Sequence, residues 1–180
     1  LEKLYRRYTG ESLAVKLSDF ADVSERIQYL VTQVEKITKI DNFGAYLTAM
    51  LEIDAFFMNE DRHTNNIAVI YNEKTQKYEL RPFFDQGLCM FADINQDYPI
   101  DQSLEYCLEK IEAKPFSSDF DIQLDAAEEL YGIQIGFQFT FKDIQIYLQK
   151  NSENYPREVI RRVEQLLRGQ MRKYGYLMKK

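Results

Sequence analysis

The chain has no tryptophan, one histidine, two cysteines and four prolines in 180 residues. A single histidine with no nearby cysteine excludes the usual three- or four-ligand transition-metal site. Cys89 and Cys107 lack ligand-like spacing and are expected to be buried thiols in a reducing cytoplasm. None of the seven glycines forms a glycine-rich loop of the kind that cradles phosphates. No apolar run approaches the roughly 18 residues of a membrane span. No basic start followed by an apolar stretch marks a signal peptide. A cytoplasmic protein without a membrane partner is therefore expected. Positive charge is also short: 23 Lys and Arg face 29 Asp and Glu, for a net charge of −6. Eight of those basic residues, against two acidic ones, fall between Pro156 and Lys180. The acidic remainder argues against direct nucleic-acid binding. The basic face of the last segment reads as solvated, with docking of an acidic partner as the alternative.

What is present is an ordinary globular balance, 45% hydrophobic and 29% charged, in a length that suits one domain or one lobe of a larger protein. With tryptophan missing, 13 tyrosines and 12 phenylalanines must fill much of the interior. Leu1, Leu4 and Tyr5 are able to line a short helix, followed by a turn at Thr9–Ser12. Leu13–Leu17 has the look of a strand carrying a nucleotide-binding lysine, Lys16. It is discounted because no glycine-rich loop precedes it and little chain separates it from Asp61. Ser24 caps a helix over 25–40, whose Ile27, Leu30, Val31, Val34, Ile37 and Ile40 recur at helical spacing. A second helix starts at Asp41-Asn42 and runs to Phe57, apolar on most sides and so central. Ile67–Tyr71 and Tyr78–Phe84 favour strands, joined by a solvated turn into a hairpin. Helical patterns return near 102–112, 121–131, 141–150 and 156–178, the last with Pro156 at its start. No internal repeat is visible. The predicted fold class is α+β, mostly helical, with one embedded β-hairpin.

Chemistry concentrates between the central helix and the hairpin, in Asp61-Arg62-His63-Thr64-Asn65-Asn66. Asn66 opens the hairpin and Asp85, in Asp85-Gln86-Gly87, closes it, so antiparallel pairing is expected to bring these two side by side with Asp61 just before them. Mg²⁺ prefers a few hard oxygen ligands and keeps several waters, which one carboxylate and one amide carbonyl suit. Asp61 is then placed to orient a hydroxyl and accept its proton. Structural readings stand beside this one: Asp61 as a loop or capping residue, Asn66 as a turn residue bonding its own backbone, and His63 as a satisfied structural histidine.

The hexapeptide, with the Asp-x-Gly at the hairpin's end, resembles the D-R-H-x-x-N loop of HipA-like serine/threonine kinases, shared with the phosphoinositide 3- and 4-kinases. The resemblance covers about residues 40–92. It implies a kinase-like large (C-terminal) lobe over 1–180, with Asp61 and His63 as catalytic residues. Asn66 and Asp85 would bind the nucleotide and the metal, and Arg62 would help His63 to position the loop. ATP and Mg²⁺ are the implied cofactors. The implied partners are a protein substrate with a Ser/Thr acceptor, a small lobe, and an antitoxin if the chain acts as a toxin of a toxin–antitoxin pair. The small lobe has no counterpart in these 180 residues: the chain is a fragment, another polypeptide supplies that lobe, or activity has been lost. A pseudokinase or interaction module and a phosphoinositide-type lipid kinase are the alternative readings.

Overall fold

Local sequence signals set most element boundaries. In the computed structural model, which describes residues 1–179, eight helices run in chain order as α1 (Glu2–Thr9), α2 (Leu13–Ser18), α3 (Val23–Thr38), α4 (Phe43–Phe57), α5 (Leu104–Lys110), α6 (Phe120–Tyr131), α7 (Phe141–Lys150) and α8 (Arg157–Lys173). One antiparallel hairpin, β1 (Val69–Asn72) with β2 (Lys77–Leu80), lies between α4 and α5. The fold is thus mostly helical α+β, and no helix among the described residues is long and apolar enough to cross a membrane.

Several boundaries differ from the expectation; α3 ends two residues early, at Thr38, where Lys39 turns left-handed (φ 63°), and the others have local causes too. Helix α3 begins two residues early because the Asp22 carboxylate, not Ser24, accepts the Glu25 amide at 3.1 Å. The strands are shorter than expected at both outer ends: pairing runs from Val69↔Leu80 to Asn72↔Lys77, and Pro82 has no N–H to extend the ladder. Helix α8 stops at Lys173, since the chain leaves it to exchange backbone hydrogen bonds with Phe137, from Phe137 N to Leu177 O and from Lys179 N to Phe137 O. The discounted strand at 13–17 is a helix. Ser12 caps α2, the Glu2 carboxylate accepts the Leu13 and Ala14 amides at 3.1 Å each, and Lys16 pairs with Asp19.

Helix α4 threads two apolar cores. Phe43, Leu47, Met50 and Leu51 pack into the first, with α3 and the far end of α6 (Ala126, Ala127). Ala55 and Phe56 belong to the second, with Phe120, Leu124, Leu166 and Leu177. The approach of α4 to α6 needs a glycine: a Cβ at Gly44 would sit 2.5 Å from the Tyr131 ring. The last carbonyls of α4, which have no partner within the helix, are met from α8, where Gln170 Nε2 donates to Ala55 O and Phe56 O. The helix therefore ends at a fixed height and angle, and the polar loop begins from a rigid base.

One buried carboxylate of α4 makes stability depend on pH. Glu52 is fully buried and accepts the backbone N–H groups of Gln134 and Ile135 at 2.7 Å each. Burial pushes its pKa up, more than these two bonds hold it down. A raised folded-state pKa gives stability that is complete below the ordinary glutamate value and lost as pH rises through the folded value. Urea unfolding from pH 5 to 8 should therefore show the wild type losing stability relative to Glu52→Gln as pH rises. A constant difference between the two proteins would refute the assignment.

Candidate functional site

Helix α4 is stopped by Met58, which takes a left-handed conformation (φ 53°), and the following turn carries Asn59, Glu60 and Asp61. This turn is built around a buried ion pair. Arg62 is wholly buried and grips Asp54 of α4 with two hydrogen bonds, Nε to Oδ2 at 2.6 Å and Nη2 to Oδ1 at 3.0 Å. Asn59 Nδ2 donates to Asp54 Oδ1 at 2.8 Å. Burial opposes the charge on Arg62, but the bonds to Asp54 and its field outweigh this and hold the guanidinium pKa above the usual arginine value. Burial likewise pushes the Asp54 carboxyl up, against the three donors that favour its ionised form.

The remaining nitrogen of Arg62 joins the two halves of the site. Nη1 donates to Asn66 O at 2.7 Å and to Phe84 O at 3.0 Å. The hairpin ladder does not reach either residue, so the Asn66 and Phe84 carbonyls are linked by this guanidinium and not by the strand pairing that was expected to set Asn66 beside Asp85. The chain beyond Phe84 is fastened as well, with Glu60 N donating to Leu88 O and Met90 N to Phe57 O. Asp85-Gln86-Gly87 thus forms an exposed arch tied at both ends to the terminus of α4. Asp85 sits in the left-handed region (φ 59°), which aspartate tolerates better than most residues.

Asp61, His63 and Asn66 come together directly. Asn66 Nδ2 donates to Asp61 O at 2.9 Å and to Asp61 Oδ2 at 3.1 Å. This fixes the amide so that its oxygen is turned away from Asp61. Asn66 is buried, yet this oxygen takes no hydrogen bond and is not among the solvent-shielded unpaired atoms, so it reaches solvent. His63 Nδ1 accepts the Asn65 amide at 3.2 Å, leaving the ring proton on Nε2, which lies 3.8 Å from Asp61 Oδ1. The Asp85 side chain makes no hydrogen bond or ion pair with the other three among the described residues; the bonded link nearest to it is Arg62 Nη1 to the Phe84 carbonyl. From the amino-terminal side, Glu2 accepts the Thr64 hydroxyl at 3.2 Å and the Leu1 nitrogen donates to Thr64 O at 2.7 Å.

Comparison with protein-family models, with curated proteins and with solved structures found no match to this chain.

Chemically, Asn66 Oδ1 and the Asp85 carboxylate are hard oxygen donors without a hydrogen-bond partner among the described residues, and Asp61 Oδ1 is a carboxylate oxygen that is not hydrogen-bonded. That donor set fits Mg²⁺, which takes few protein ligands and keeps its waters. No group of three or more His, Cys, Asp or Glu side chains gathers into a metal site among the described residues. Cys89, close to the ion pair, is a poor nucleophile: burial and the Asp54 charge push its thiol up to about 12. Two open cavities adjoin the loop and the arch. One of about 600 Å³ meets the loop at Asn65 and is walled by Leu4, Val69, Tyr71 and Tyr78. The other, of about 360 Å³, starts at Gln86 and Gly87 and runs along Tyr147 and Val163.

Two contributors escaped the sequence reading. Asp54 had a signal, an acidic residue on the apolar stripe of a buried helix, where a carboxylate survives only with a partner. Lys114, whose Nζ lies 4.0 Å from Asp61 Oδ1, had none.

Proposed function

We propose that this chain is the catalytic large lobe of a HipA-like kinase, transferring the γ-phosphate of ATP to a Ser/Thr hydroxyl. The observation that carries the reading is the coupling of Asp61 to Asn66 by a side-chain hydrogen bond, with Arg62 tying the same Asn66 to the residue before Asp85. In this reading Asn66 Oδ1 and Asp85 hold Mg²⁺, which neutralises phosphate charge when bound. Asp61 does the work on the acceptor. Its Oδ2 is immobilised by Asn66, and Oδ1 is left to take the hydrogen bond, and then the proton, of the incoming hydroxyl. Holding that oxygen rigid converts part of the entropic barrier into folding free energy. His63, with its Nε2–H facing Oδ1, limits where the acceptor is able to approach. The role beside an antitoxin belongs to this reading through the HipA-like resemblance.

The test is phosphoryl transfer. The chain alone, without a lobe closing over the phosphates, should bind Mg-ATP on the order of millimolar. Joined to a HipA-type small lobe, or mixed with one, it should incorporate γ-phosphate into protein. Micromolar binding by the isolated chain would show that no further lobe is needed. Absence of transfer in every pairing would leave a non-catalytic interaction module as the better reading.

A further inference from the structure

The segment after α5 passes beside Asp61, and its geometry assigns a second catalytic side chain. Ile111 and Ala113 are buried in the second core and Phe116 in the first, while Glu112 and Lys114 point outward between them. The turn is closed by Ala113 N donating to Ser118 O at 2.8 Å, and Arg26 Nη1 holds Phe116 O at 2.7 Å. The Lys114 backbone is therefore fixed from both sides, and its side chain, 51% exposed, ends 4.0 Å from Asp61 Oδ1. It forms no other ion pair among the described residues. The distance matters. At 4.0 Å the ammonium does not hydrogen-bond the carboxylate, so Oδ1 remains free to accept, while the positive charge stands beside the place where an acceptor hydroxyl must sit.

We infer that Lys114 binds the transferring phosphoryl group and neutralises the charge that spreads over its oxygens, a role that rests on the kinase reading of this site. In the step itself, the acceptor oxygen forms a bond to the γ-phosphorus and its proton passes to Asp61 Oδ1. The bond from the γ-phosphorus to the β–γ bridging oxygen breaks, and the electron pair leaves with ADP. Lys114 takes no proton. A flexible ammonium with unused donors suits a group whose position changes by an ångström or more during transfer.

The experiment compares wild type, Lys114→Met, Lys114→Arg and Asp61→Asn in the chain paired with a HipA-type small lobe. Lys114→Met should lower kcat by about 10²–10³-fold, as for loss of one charged transition-state donor, with KM for ATP nearly unchanged. Lys114→Arg should recover a large part of that loss, which a merely structural role for the methylene stem would not predict. Turnover of Lys114→Met at the wild-type rate, with Asp61→Asn inactive, overturns the role of Lys114 and leaves the kinase reading intact. A rise in KM alone would make Lys114 a ground-state binding residue and also overturns the inference. If wild type and every variant are equally inert, both readings fall together.

Discussion

Asp54→Asn is expected to destabilise the fold by about 3–5 kcal/mol, the range for removing one partner of a buried, hydrogen-bonded ion pair. The asparagine is the same size and still offers one oxygen, so packing alone does not explain a loss of this magnitude. It follows from leaving the Arg62 guanidinium, fully buried, without a counter-charge. For a chain of this length the loss corresponds to a fall in Tm of roughly 10 °C. The local consequence should be as large as the global one. Arg62 also holds Asn66 O and Phe84 O, so its displacement loosens the two segments that carry the proposed metal ligands. Removing both charges with Asp54→Leu and Arg62→Met should cost less than the sum of the single changes, because no orphaned charge remains. Urea unfolding of the four proteins measures the coupling. Additive losses would mean that the pair contributes no more than its two side chains separately.

The other large effect is on turnover. Asp61→Asn in the paired kinase should reduce kcat by about 10²–10⁴-fold, the usual contribution of a positioned general base. Nucleotide affinity should barely change, since Asp61 is assigned to the acceptor and not to the phosphates. The replacement keeps an oxygen to accept the Asn66 amide, so loop geometry should survive. Asp85→Asn, by contrast, should weaken nucleotide binding and turnover together, because it removes the main protein charge from the proposed metal position. Phosphate incorporation and calorimetric titration of Mg-ATP separate the two patterns. Undiminished turnover in Asp61→Asn would take Asp61 out of the mechanism.

Much of this architecture could be read from the order of residues alone. Apolar spacing of 3.6 marked α3, α4, α6, α7 and α8, since a helix buries one stripe and that stripe is a periodic, local property. The near absence of a polar face on α4 marked it as central, and Leu47, Met50 and Leu51 are indeed completely buried. β-branched and aromatic runs around a polar turn marked the hairpin. The polar cluster at 61–66 stood out as a run of charged and polar residues between two packed elements, although Arg62 within it proves to be wholly buried against Asp54.

The sequence by itself marked the longer helices, the hairpin and the end of α4, and set Asp61, His63, Asn66 and Asp85 apart as candidates, while α2 was read there as strand-like. Tertiary structure decided how they are assembled. Strand pairing looked sufficient to bring Asn66 to Asp85, but the ladder stops at Val69↔Leu80 and the link is made by a guanidinium whose acceptors are backbone carbonyls, which leave no trace in residue identity. Lys114 reaches Asp61 because Ile111 and Ala113 are buried in the core that also takes the end of α4. Periodicity reports what a residue does within its own element. Contacts between distant segments depend on how whole elements pack, and that is set by the summed burial of many side chains acting together.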